Sequence, residues 1–145
     1  MEYISNSAED TFRWASSLSV GAKPGDIVCL CGDLGCGKTV LAKGFGAGLD
    51  ISSEITSPTF TLINVYDSFG QRLPLYHFDV YRISSPDEMD DTGYEDYFYG
   101  NGVCLIEWAE IIKELIPDIA VWVTIEKNIN ISEDYRRITY SRWLK

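Results

Sequence analysis

At 145 residues, with 46% hydrophobic and 23% charged residues, the chain has the make-up of one ordinary globular domain with its own core. Its net charge of −10 argues against binding nucleic acid unaided, which needs a basic footprint. No uncharged apolar run approaches the ~18 residues of a membrane span, and Met1-Glu2-Tyr3-Ile4-Ser5 lacks the basic and apolar segments of a secretory signal, so a cytoplasmic protein with no membrane partner is expected.

In chain order, Ser7 is placed to cap a helix over residues 8–19, with Ala8, Phe12, Ala15 and Leu18 on one face. Lys23-Pro24-Gly25-Asp26 is a turn. Ile27-Val28-Cys29-Leu30-Cys31 reads as a short buried strand, and Val40-Leu41-Ala42-Lys43 opens a second helix that runs to about Leu49. That helix carries Gly44, Gly46 and Gly48, each costly in a helix interior unless another element packs closely against it. Residues 59–66 and 73–80 read as two strands joined through Asp67-Ser68-Phe69-Gly70, an antiparallel hairpin. Ser85-Pro86-Asp87-Glu88 is a helix start, with a cap, a proline at the first position and acids in the first turn. A further helical turn is expected at 94–99, a buried strand at 103–107, a helix at 109–115 ended by Pro117, and strands at 120–125 and 136–141. Strands interleaved with helices predict an α/β three-layer fold, with a mixed, mostly parallel sheet and the hairpin inserted. Ligands bind such sheets at the carboxyl ends of the strands.

Between the first strand and its helix lies Gly32-Asp33-Leu34-Gly35-Cys36-Gly37-Lys38-Thr39, which fits G-x-x-x-x-G-K-[ST] at every fixed position. Glycines let successive backbone N–H groups turn inward as an anion-binding nest, and the helix N-terminus behind adds partial positive charge. Lys38 can reach β- and γ-phosphates, and the Thr39 hydroxyl can ligate Mg²⁺. Such a loop needs a carboxylate for the metal, usually at the end of an apolar strand. Glu107, ending Val103-Cys104-Leu105-Ile106, and Asp79, following Leu75-Tyr76-His77-Phe78, both qualify. Ser57-Pro58-Thr59-Phe60 lies where a nucleotide-sensing loop often lies, and its hydroxyls could reach phosphate or metal. The lone histidine, His77, reads as a hydrogen-bonded strand residue. Cys29, Cys31 and Cys104 read as buried free thiols without zinc-site spacing. Cys36 reads as a small residue filling a tight loop, with a redox-sensitive thiol as the alternative. No [NT]-K-x-D guanine-type motif is visible, so ATP is the expected nucleotide. Asp87, Glu88, Asp90, Asp91, Glu95 and Asp96 form a solvated acidic face, with docking of a basic protein as the alternative.

Four blocks in order are Gly32 to Thr39, Ser57-Pro58-Thr59-Phe60-Thr61-Leu62, His77-Phe78-Asp79-x-Tyr81-Arg82 and Ile106-Glu107-Trp108-x-Glu110. Together they resemble the bacterial TsaE (YjeE) family over roughly residues 1–126. The resemblance implies a P-loop ATPase, feeble alone, that supports a TsaB–TsaD pair in threonylcarbamoyladenosine modification of tRNA, next to the anticodon. It meets tRNA only through that complex. The isolated chain is expected to be a monomer. The resemblance further implies ATP phosphates on Leu34, Gly35, Cys36, Gly37, Lys38 and Thr39, with the flanking Asp33 and Val40 also at the nucleotide and Mg²⁺ on Thr39, Glu107 and Asp79. Asp79 would act in hydrolysis or metal positioning, Lys38, Asp79 and Glu107 forming the catalytic set. Ser57, Thr59, Trp108 and Thr11 would lie beside the nucleotide. Val40 stands where the family usually has a hydroxyl residue, which removes a hydrogen bond to the α-phosphate. A small-molecule kinase is disfavoured by few arginines and an acidic insert; a nucleotide-gated binding module without catalysis is the other alternative.

Overall fold

The computed structural model describes residues 1–58 and 61–145. Across them the strands β1 (Glu2–Ser5), β2 (Ile27–Cys31), β3 (Ile63–Tyr66), β4 (Leu75–Asp79), β5 (Val103–Glu107), β6 (Val121–Lys127) and β7 (Arg136–Tyr140) form one sheet. Its order is β1-β7-β6-β2-β5-β4-β3. The four inner strands β6, β2, β5 and β4 are parallel, β3 and β7 run antiparallel on either side of them, and β1 pairs antiparallel with β7 at the outer edge. The β3–β4 pairing is the hairpin that the sequence predicts, but β3 starts at Ile63; Thr59 and Phe60 lie outside the described residues. β1 has no counterpart in the sequence reading.

The two central strands, β2 and β5, bury both faces, so their sequences are nearly unbroken apolar runs. Alternation sends Val28, Leu30, Val103 and Leu105 against the helices α1 (Ala8–Val20) and α2 (Lys38–Gly48). Ile27, Cys29, Cys104 and Ile106 meet the opposite layer, built from α3 (Tyr94–Phe98) and the 3-10 segments Pro86–Met89 and Ala109–Leu115. The three layers are therefore unequal, with regular helices on one side and short turns on the other. Ser7 Oγ accepts the Asp10 N–H at 3.0 Å and starts α1 where the sequence places it. At Ser85, Glu88 completes a capping box, so one of the six clustered acids serves the backbone.

The buried stripe of α1 keeps Ala15 and Leu18 from the one read from the sequence but not Ala8 and Phe12. Thr11, Trp14, Ala15, Leu18 and Ser19 face inward, while Ala8 and Phe12 are exposed. Trp14 fixes this choice by packing among Tyr3, Tyr140 and Trp143. The glycines of α2 explain how the two helices come together. A Cβ on Gly44 would strike the Phe12 backbone, and one on Gly48 would strike Ser19 Oγ and the Ser16 carbonyl. At the far end of α1, the Arg72 guanidinium of the hairpin donates to the Ala22 carbonyl at 2.8 Å and to the Ser19 carbonyl. No helix among the described residues is long and apolar enough to cross a membrane.

Candidate functional site

The loop between β2 and α2 turns on left-handed glycines. Gly37, the N-cap of α2, has φ 111°, a conformation that side chains resist, and Gly35 has φ 75°. α2 thus begins at Lys38 with its first N–H groups facing the loop interior. Lys38 is buried; its ammonium donates to the Gly32 carbonyl and lies 3.6 Å from the centroid of the Trp108 ring. Trp108 reaches that position because the chain turns left-handed there (φ 62°) as it leaves β5, and Tyr81 packs on its ring at 4.8 Å between centroids. Cys36 is buried in the loop, and burial pushes its thiol pKa up, which suits the filling role rather than a reactive thiolate.

Two carboxylates face this loop from neighbouring strand ends. Asp79 closes β4 and Glu107 closes β5, paired in register with each other, and Glu107 is also opposite Leu30 of β2. Glu107 is buried, and its Oε2 lies 2.7 Å from His77 Nε2 and accepts the Ser57 hydroxyl at 3.3 Å. Asp79 is less buried and accepts the Tyr81 N–H at 3.0 Å. Burial raises its carboxyl above the usual value, the neighbouring Glu107 charge adding to the rise while the Tyr81 N–H opposes it.

One cleft of about 330 Å³ is lined by Leu34, Gly35, Gly37, Lys38, Thr39, Ser57, Asp79, Glu107 and Trp108. The loop, both strand-end acids and Ser57 are therefore brought together, although 73 positions separate Leu34 from Glu107 in the chain. The other residues named from the sequence lie elsewhere around the loop. Thr11 and Val40 share a hollow of about 70 Å³ with Gly37 and Arg136, and the Thr11 hydroxyl is hydrogen-bonded to Ser5 Oγ at 2.7 Å. Asp33 and Cys36 border a third hollow beside Thr124 and Lys127. Thr59 lies outside the described residues.

Three contacts could not be read from the sequence. Arg136 donates through Nε to the Cys36 carbonyl at 2.7 Å, and through Nη1 to Tyr135 and Glu133 carbonyls, tying β7 to the back of the loop. His77 is the hydrogen-bonded strand residue the sequence suggests, but its partner is a site carboxylate. Tyr81 packs on Trp108. All three depend on which strand lies beside which.

The donor set suits Mg²⁺ rather than a caged metal. The cleft offers the Thr39 hydroxyl and two carboxylates, hard oxygen ligands, beside a lysine and backbone N–H groups. Among the described residues no group of three or more His, Cys, Asp or Glu side chains could hold a metal unaided. Magnesium held by one or two protein oxygens and completed by phosphates and water fits that pattern.

A family model described as "Threonylcarbamoyl adenosine biosynthesis protein TsaE" matches residues 5–138. The chain belongs to the TsaE family. TsaE proteins take part in threonylcarbamoyladenosine biosynthesis of tRNA. The TsaE protein of Bacillus subtilis (strain 168) is 45% identical over 133 residues, covering 92% of this chain and 80% of that protein. The TsaE protein of Treponema pallidum (strain Nichols) is 44% identical over 125 residues, covering 86% and 90%. The crystal structure of Bacillus subtilis YdiB superposes with a TM-score of 0.78 at 38% identity, covering all of this chain and 86% of that one. The TsaE match runs beyond residue 126, the reach of the resemblance read from the sequence, through the position of Arg136.

Proposed function

We propose that this TsaE-family chain binds ATP with Mg²⁺ in the cleft and hydrolyses it weakly alone. It would do so in support of a TsaB–TsaD-type pair that modifies tRNA. The convergence of Lys38, Thr39, Asp79 and Glu107 on one cleft carries this reading. The loop N–H groups and the α2 N-terminus bind and orient the phosphates, and Lys38 leaves the Trp108 face to reach their β- and γ-oxygens. Thr39 and Glu107 would hold Mg²⁺, which would supply neutralisation of negative charge on the phosphate oxygens. Asp79, with its raised carboxyl beside Glu107, orients the attacking water or a water of the metal shell. The chain's net charge of −10 supports an indirect role toward tRNA, through protein partners.

The test is ATP hydrolysis by the purified chain, alone and with a TsaB–TsaD pair. Weak activity, stimulated by the pair and abolished in Lys38→Ala, is the expected result. Turnover that ignores the pair and appears only with an added metabolite would make the protein a kinase. Full tRNA modification by an Asp79→Asn variant that binds ATP without hydrolysing it would leave a nucleotide-gated binding module.

A further inference from the structure

The parallel pairing of β4 and β5 places Asp79 opposite Glu107 and His77 opposite Leu105, one step deeper into the sheet. Strand alternation turns Leu75, His77 and Asp79 to one face, so the imidazole lies directly beneath the cleft. Burial of His77 is complete, with 0% exposed, and Glu107 above it is 3% exposed. The Nε2–Oε2 distance of 2.7 Å is that of a charge-assisted hydrogen bond. The same oxygen accepts from Ser57, so two donors converge on Oε2. On the other side of the ring, Nδ1 is buried without a hydrogen-bond partner among the described residues. A neutral imidazole protonated on Nε2 fits these facts, because it donates to Glu107 and leaves no N–H unsatisfied at Nδ1.

A histidine whose second nitrogen is orphaned in an apolar layer is costly there, and a leucine would fill that space without the penalty. The return on the cost is the fixed carboxylate. We infer that His77 is a positioning residue: its Nε2–H, with the Ser57 hydroxyl, holds Oε2 of Glu107 so that Oε1 is the oxygen presented to a phosphate-bound Mg²⁺. This rests on the Mg²⁺–ATP reading of the cleft. It assigns His77 no contact with nucleotide or metal and no proton transfer.

Two variants and one spectrum test it. His77→Leu keeps volume and removes the donor; His77→Gln keeps an N–H near the Nε2 position. ADP binding is measured by calorimetry with Mg²⁺ and with EDTA, and Mn²⁺ binding to the ADP complex by electron paramagnetic resonance. His77→Leu is expected to weaken metal binding in the ADP complex roughly 10–100-fold. ADP affinity in EDTA should stay at the wild-type level, and His77→Gln should recover most of the loss. Unchanged metal affinity in His77→Leu, or equal losses in both variants, overturns the inference. Because His77 is the sole histidine, ¹⁵N-histidine spectra of the unaltered chain report one ring without ambiguity, even if a variant does not fold. The expected spectrum is the Nε2–H tautomer, shifting when Mg²⁺ is added to the ADP complex. An Nδ1–H tautomer, or no response to Mg²⁺ in a chain whose ADP affinity depends on Mg²⁺, overturns it. A wild-type chain that binds ADP without any Mg²⁺ dependence would remove the cleft reading itself, a distinguishable failure.

Discussion

The ends of β4 and β5 lie side by side, carry one carboxylate each, and face the same phosphate loop, yet they are built differently. At the β5 end, Glu107 is buried and pinned by His77 and Ser57, and the chain leaves through the left-handed Trp108 that holds Lys38 on its ring. At the β4 end, Asp79 has one backbone N–H and a carboxyl raised by burial. A pinned carboxylate suits a ligand whose geometry must not vary. A looser one with a raised pKa suits a group that handles water or protons. On the proposed function, two acids that border one loop would therefore do different work, because their own partners differ.

Substitutions can break that contrast. The largest effect is expected for Glu107→Gln, which should lower partner-stimulated hydrolysis about a hundredfold or more. It should also destabilise the fold by about 1–2 kcal/mol in urea denaturation, as two hydrogen bonds to a charged group weaken. Asp79→Asn should reduce hydrolysis about tenfold and shift stability the opposite way. A carboxyl raised in the folded state binds its proton more readily there than in the unfolded chain, so its ionised form weakens the fold at neutral pH. The variant should therefore melt higher than wild type at pH 7. That advantage should shrink as pH falls through the raised value and vanish below the ordinary 3.8. Melting temperatures that move in the same direction for both variants would erase the contrast.

Tyr81→Ala, which strips the ring from Trp108 without touching either acid, should cost about 0.5–1.5 kcal/mol of stability. It should leave the pH dependence of Asp79→Asn as it was. The smallest effect should come from Val40→Thr, on the far side of the loop. A restored hydroxyl should tighten nucleotide binding by roughly 0.5–1.5 kcal/mol, read by calorimetry, with no change in the ratio of the two acid variants.

The sequence exposes the half of the site that local chemistry dictates. Glycines at 35 and 37, a lysine and a hydroxyl at fixed spacing can be recognised because the loop they form is a contiguous backbone structure. Asp79 and Glu107 show as acids that end apolar runs. What escapes is whatever depends on strand order. Arg136 meets Cys36 across 100 positions, and His77 meets Glu107 across 30. No periodicity records either pairing. The slip in the α1 stripe has a similar origin. Phe12 and Trp14 are equally apolar by type, and the aromatic neighbours contributed by β1, β7 and the residues after it choose between them. β1 escaped because four residues with a mixed burial pattern carry too little alternation to separate from a loop.

The pairing of β1 with β7 sets a timetable for the molecule's birth. Glu2 and Arg137, joined at 2.7 Å, are 135 positions apart. A ribosome adding roughly 5–20 residues per second leaves β1 waiting on the order of ten seconds for its partner. During that interval the loop and α2 can form, but the edge that seats Trp14 stays open and Arg136 has not arrived behind Cys36. If the cleft binds ATP as proposed, that ability would wait until β7 has paired and Arg136 stands behind Cys36.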